Sequence, residues 1–182
     1  PSRFKWKEYS PQRNHRRDRS DMKNVTTLLI DLDGTLVDYH KIRAEILFTY
    51  WTLRWWRTQA PPWKILSAFR AAKKAVREET LEGLNSERVI RAFSNHLKIS
   101  HSAGKQLLQQ YLEDVFSKLQ PYFFPIQGAA GFVTWAASRY PLVLATNPVW
   151  PLQIVQHRLR WGGIDPQIFR SITHADRMGA CK

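Results

Sequence analysis

An α/β fold, with a parallel sheet interrupted by an all-helical insertion, is the class this sequence predicts. Three observations carry it. Two short uncharged apolar runs, residues 26–30 and 142–145, read as buried strands, and each ends abruptly in polar residues. Between them lie about eighty residues of helical periodicity with no strand pattern. After the second run, helix and strand signals alternate again, as a parallel sheet with crossover helices requires.

The first strand, 26–30, contains Leu and Ile and no charge, so it is expected to be covered on both faces. It runs into Asp31-Leu32-Asp33-Gly34-Thr35-Leu36-Val37-Asp38. Two carboxylates stand one residue apart on the turn that leaves a strand, where open α/β sheets form their ligand sites. Gly34 permits a backbone conformation that a Cβ penalises and lets the main chain approach a ligand. Successive amides at such a turn are suited to cradling an anion.

Four helices follow. Residues 39–56 carry Ile42, Ile46, Tyr50 and Leu53 at helical spacing, with Phe48, Trp51 and Trp55 as a second stripe, so this helix is expected to be covered twice. Pro61-Pro62 breaks the chain and starts a helix over 63–79, with Ile65, Leu66, Phe69 and Val76 inward. Gly83 interrupts the pattern. Ser86 is expected to cap a helix through Lys98, and Ser100 or Ser102 one ending near Lys118. Pro121 and Pro125 close the insertion, leaving residues 36–39 and 121–128 as two hinges. A helix over 128–139, a strand over 142–146, a helix over about 150–160 and a strand over about 168–173 complete the chain.

Asp31-x-Asp33-Gly34-Thr35-Leu36 resembles the first signature of the haloacid dehalogenase (HAD) superfamily in its phosphatase form. Thr146-Asn147, ending the run Leu142-Val143-Leu144-Ala145, is similar to the family's second motif, and Lys182 stands where its lysine is expected. The resemblance spans residues 25–182 in architecture. It implies a HAD-like Rossmannoid core with a parallel sheet and a helical cap. The corresponding division is a basic tail over 1–24, core over 25–38, cap over 39–120 and core again over 121–182. In that family the first strand is central and an acidic element follows a further strand. Neither the further strand nor the acid is in this sequence, so the reading takes the chain as truncated before the last core strands, with residues 26–30 at an exposed apolar edge.

The resemblance also implies a mechanism. Asp31 is the nucleophile and forms an aspartyl-phosphate; Asp33 is the general acid and then the general base. Mg2+ is held by Asp31 and the main-chain carbonyl of Asp33. Leu32, Gly34, Thr35, Thr146 and Asn147 bind phosphoryl oxygens, and Lys182 adds a catalytic cation. Asp33 argues for phosphate over halide, because removal of halide requires no protonated leaving group. The expected function is Mg-dependent hydrolysis of a small phosphorylated metabolite. A phosphomutase uses the same acids and stands as an alternative. So does a binding protein that recruits nucleic acid or acidic partners through its basic surface.

Composition sets the remaining bounds. The 182 residues, 43% of them hydrophobic, suffice for a core. The single Cys181 excludes an internal disulfide framework and fits a reducing, cytoplasmic compartment. The six histidines lack the close pairing that transition-metal sites need. No stretch approaches the roughly 18 to 20 apolar residues of a membrane span, since Glu45 and Arg54 bracket the best candidate. No apolar signal core precedes the first strand.

The net charge is +13, and residues 1–24 hold eight cations against three acids, with Phe4, Trp6 and Tyr9 among them. Such a segment reads first as a solvated tail, and nucleic-acid binding through it is not favoured. In the insertion, Arg43, Arg54, Arg57, Lys64, Lys73 and Lys74 are candidate attractors of a second anionic group, and Trp51, Trp55, Trp56 and Trp63 are expected to pack inward.

Overall fold

Three short parallel strands form the core sheet in the computed structural model, which describes residues 25–77 and 83–179. The basic tail, Cys181 and Lys182 lie outside the described residues. β1 (Leu28–Ile30), β4 (Leu142–Leu144) and β5 (Ser171–Ile172) stand in the order β1-β4-β5. Leu28 pairs with Leu142 and Ile30 with Leu144, all in parallel register. Parallel neighbours need crossovers. The helical insertion and α5 (Ala129–Ala137) make the first, and α6 (Leu152–Trp161) makes the second.

Ile30, Leu32, Leu144, Val133 and Leu159 meet in one buried cluster, where full burial of each such side chain is worth roughly 1.5–3 kcal/mol. β1 departs from the expectation of cover on both faces: Ile30 is 7% exposed, but Leu29 is 71% exposed. Successive side chains of a strand point to opposite faces, and β1 is an edge strand of the described sheet, with β4 its one neighbour.

Two strands that the sequence pattern did not reveal join the hinges. β2 (Val37–Tyr39) and β3 (Phe123–Pro125) pair antiparallel, with Val37 opposite Pro125 and Tyr39 opposite Phe123. The Tyr39 and Phe123 rings stack at 5.0 Å, a cross-strand contact of the kind that fixes a short pair. The two connections therefore behave as one ribbon.

The insertion comprises α1 (Lys41–Trp56), α2 (Pro62–Arg77), α3 (Asn85–Leu97) and α4 (His101–Phe116), followed by a 3₁₀ turn, Ser117–Tyr122, that contains Pro121. Trp56, Phe93 and Tyr111 are fully buried at its centre. The Thr52 hydroxyl lies 2.7 Å from that of Tyr111, so the buried phenol is satisfied, and burial raises its pKa above the ordinary value. Phe48, Trp51 and Trp55 pack on this cluster.

The stripe that begins with Ile42 is not covered, contrary to expectation: Ile42, Ile46 and Tyr50 are 75%, 64% and 52% exposed. Trp63, at the start of α2, is likewise on the surface rather than packed inward. Among the described residues no helix is long and apolar enough to cross a membrane.

Ser100 caps α4 as expected, accepting from the Ala103 amide at 3.2 Å. Ser86 does not cap α3; that position is Leu84. The unpaired amides of a helix start must find partners, and here the core supplies them. The Asn85 amide donates to the Met178 carbonyl at 2.8 Å and that of Ser86 to Ala175 at 3.0 Å. The insertion is thus seated on the core at α3. It is seated again where Phe116 of α4 stacks on Trp161 at 5.3 Å and Phe48 of α1 meets Trp150 edge-on.

Candidate active site

Asp31 stands immediately after β1, and Thr146 stands two residues after β4. The Ala145 amide donates to the Ile30 carbonyl at 2.8 Å, extending the ladder, so the two polar ends emerge side by side at the carboxyl edge of the sheet. Thr146 is buried, and its carbonyl accepts from the Thr173 hydroxyl at 2.6 Å, which ties the end of β4 to the chain following β5. Asn147 is exposed.

The loop after Asp31 closes on itself. Gly34 has φ +73°, the left-handed region that favours glycine. The Leu32 carbonyl accepts from the amides of Leu36 and Val37 at 2.9 and 3.1 Å and of Thr35 at 3.3 Å, while the Gly34 amide donates to the Val37 carbonyl at 2.9 Å. The turn thus uses the Gly34 and Thr35 amides to hold its own shape. Leu32 is fully buried, and its carbonyl is taken up by the turn. Thr35 lies exposed on the turn. The structure thus brings Asp31, Leu32, Asp33, Gly34, Thr35, Thr146 and Asn147 to one end of the sheet. Lys182, the remaining member of the predicted site, lies outside the described residues.

Asp33 differs from Asp31 in its surroundings. Its side chain is 45% exposed, and its Oδ1 forms an ion pair with Nη2 of Arg158 from α6. Arg158 itself is only 4% exposed. Burial pushes its pKa down to about 10, and the nearby charge of Asp31 works against that shift, so the guanidinium stays charged at neutral pH. Its Nε has no hydrogen-bond partner among the described residues. Its Cζ lies 5.6 Å from the centroid of the Phe123 ring of β3.

Arg158 was not among the residues the motifs singled out. The inward positions of α6 are Ile154, Val155, Arg158 and Leu159. A cation occupies one place of an otherwise apolar stripe, and that breach of the period is the signal that finds it.

The insertion supplies a wall. The Asn85 side chain, fully buried, donates to the Pro148 carbonyl at 3.0 Å, next to Asn147, and Arg88 is buried beside it. Arg54 and Arg57 gather with Lys118, Trp51 and Trp55 around a separate shallow cleft of about 190 Å³.

Among the described residues no three His, Cys, Asp or Glu side chains come together as a metal site. Asp31 and the main-chain carbonyl of Asp33 offer hard oxygen donors. Mg2+ is commonly held by one or two carboxylates completed by water and substrate phosphate, and this donor set fits that pattern.

No protein-family model and no curated protein matches the chain. Solved structures similar to it include a magnesium-bound HAD hydrolase from Bacillus subtilis, with 21% identity over 85% of this chain and 67% of that one, at a TM-score of 0.47. A 2-haloacid dehalogenase from Pseudomonas syringae pv. Tomato has 16% identity over 86% and 66%, at 0.48. A β-phosphoglucomutase from Thermotoga maritima has 18% identity over 85% and 63%, at 0.42. The chain thus spans about two thirds of the length of these proteins.

Proposed function

We propose that this chain carries the nucleophile and the acid-base group of a phosphohydrolase acting on a phosphate monoester of a small metabolite. The observation that supports this most is the placement of Asp31 and Asp33 on one turn at the carboxyl edge of the sheet, beside the end of β4 at Thr146. A phosphate monoester resists hydrolysis because its charge repels nucleophiles. Catalysis must therefore position a nucleophile, offset that charge and protonate the leaving group.

In this reading the Asp31 carboxylate attacks phosphorus while the ester oxygen departs, giving an aspartyl-phosphate and splitting one hard step into two. Asp33 gives its proton to the departing oxygen. It then takes one from the water that attacks the aspartyl-phosphate, which returns Asp31 and releases phosphate. The Thr146 hydroxyl orients a phosphoryl oxygen. Asp31 and the Asp33 carbonyl would hold Mg2+, whose charge offsets that of the phosphoryl group. The Asn85 and Arg88 end of the insertion lies beside the loop after β4, where it can meet the rest of the substrate. The lone cysteine supports a cytoplasmic setting.

The test is a set of phosphate esters with good and poor leaving groups, assayed with Mg2+ for the 182-residue chain, Asp31→Asn and Asp33→Asn. Asp31→Asn is expected to abolish turnover. Asp33→Asn is expected to slow esters of poor leaving groups far more than those of good ones. Equal losses across the set would refute the general-acid assignment.

A further inference from the structure

We propose that Arg158 is a positioning residue for Asp33, fixing one carboxylate oxygen so that the other is presented for proton transfer. The inference rests on the phosphohydrolase reading and goes beyond it, because it assigns a role to a side chain on a helix outside the motifs.

Taking a guanidinium out of water is costly, and replacing a buried ion pair by well-packed apolar groups is often neutral or stabilising. Arg158 stands between Val155 and Leu159 on the inward face of α6. An apolar residue there would continue the stripe, so packing alone does not account for a cation that leaves Nε without a partner among the described residues.

The pair is made through Oδ1 of Asp33, and the Asp33 side chain is otherwise 45% exposed. The pair engages one oxygen, which leaves Oδ2 as the oxygen to carry a proton. A catalytic carboxyl must be held close to its working orientation, since small misplacements reduce rate steeply.

Arg158 is itself held in place. Its guanidinium lies 5.6 Å from the Phe123 ring. Phe123 in turn stacks on Tyr39 of the opposite hinge strand and packs on Trp161 of α6 at 5.1 Å. The arginine is therefore backed by the ribbon that joins insertion to core, and its orientation is tied to both.

Steady-state kinetics with an alkyl phosphate and a nitrophenyl phosphate test the role in the wild-type chain, Arg158→Lys, Arg158→Met, Asp33→Asn and the Arg158→Met/Asp33→Asn double variant. Arg158→Met is expected to lower kcat for the alkyl ester about tenfold or more, with KM for both esters and kcat for the nitrophenyl ester within about threefold. Arg158→Lys should recover part of the loss. The double variant should be no slower than Asp33→Asn, because the arginine acts through that acid.

Equal losses on both esters, or losses that add to those of Asp33→Asn, overturn the positioning role. Where Arg158→Met fails to fold, the ratio of the two kcat values in Arg158→Lys decides: an unchanged ratio overturns the proposal and a lowered one upholds it. A wild-type chain that releases phosphate while these variants keep its leaving-group profile defeats this inference alone. A wild-type chain that releases none defeats the phosphohydrolase reading, and this role with it.

Discussion

Asp31 and Asp33 are separated by one residue on one turn, yet they sit in unlike surroundings. Asp31 is half-buried at the strand end, while Asp33 is more open and tied to a buried arginine. Two carboxylates in different settings can take different roles. The leaving-group experiment follows from this division: a positioned general acid contributes about 10²–10⁴-fold, so Asp33→Asn should cost that much on an alkyl phosphate and far less on a nitrophenyl ester. These acids, Gly34 and Thr146 could be found in the sequence, because fixed spacing directly after an uncharged run marks a turn at a sheet edge. Arg158 could not be found so easily. It is one cation in a helix that also holds His157 and Arg160, and only its place on the apolar stripe sets it apart from them.

At the scale of elements, α6 must approach the hinge ribbon closely for Arg158 to reach Asp33. Gly162, just past the helix, makes room. A Cβ there would lie 2.5 Å from Val37 Cγ2 and 3.3 Å from the Leu159 carbonyl. Gly162→Ala is therefore expected to lower stability by about 1–3 kcal/mol through overpacking, read as a fall in Tm, and Val37→Ala in the same chain should restore part of it. An unchanged Tm would mean that the helix and ribbon are not in firm contact. The insertion helices were legible because their apolar period repeats over 13 to 16 residues. β2 and β3 were not, since three residues carry no period and their pairing depends on contacts across more than eighty positions. The mistaken cap at Ser86 has the same origin: the amides at the start of α3 are satisfied by carbonyls from the far end of the sequence.

At the scale of the whole molecule, the parallel sheet with a helical insertion follows from the alternation of patterns, and the two units meet through Phe48, Phe116, Trp150 and Trp161. What the pattern could not foretell is which apolar faces stay open. Periodicity says that a side of α1 or β1 is apolar, not that another element lies against it. An exposed strand edge carrying apolar residues favours association between chains. The 182-residue chain is accordingly expected to elute as a self-associated species in size-exclusion chromatography, and Leu29→Lys should shift it toward monomer. Identical elution of the two would dissociate the β1 edge from self-association.

The most direct test of the account is the covalent state of Asp31 during turnover. The chain, mixed with a radiolabelled phosphate ester and Mg2+, is quenched in acid and digested. The account predicts label on the peptide containing Asp31, discharged on chasing with unlabelled substrate and absent from Asp31→Asn. Phosphate release with no label at that carboxylate would contradict it.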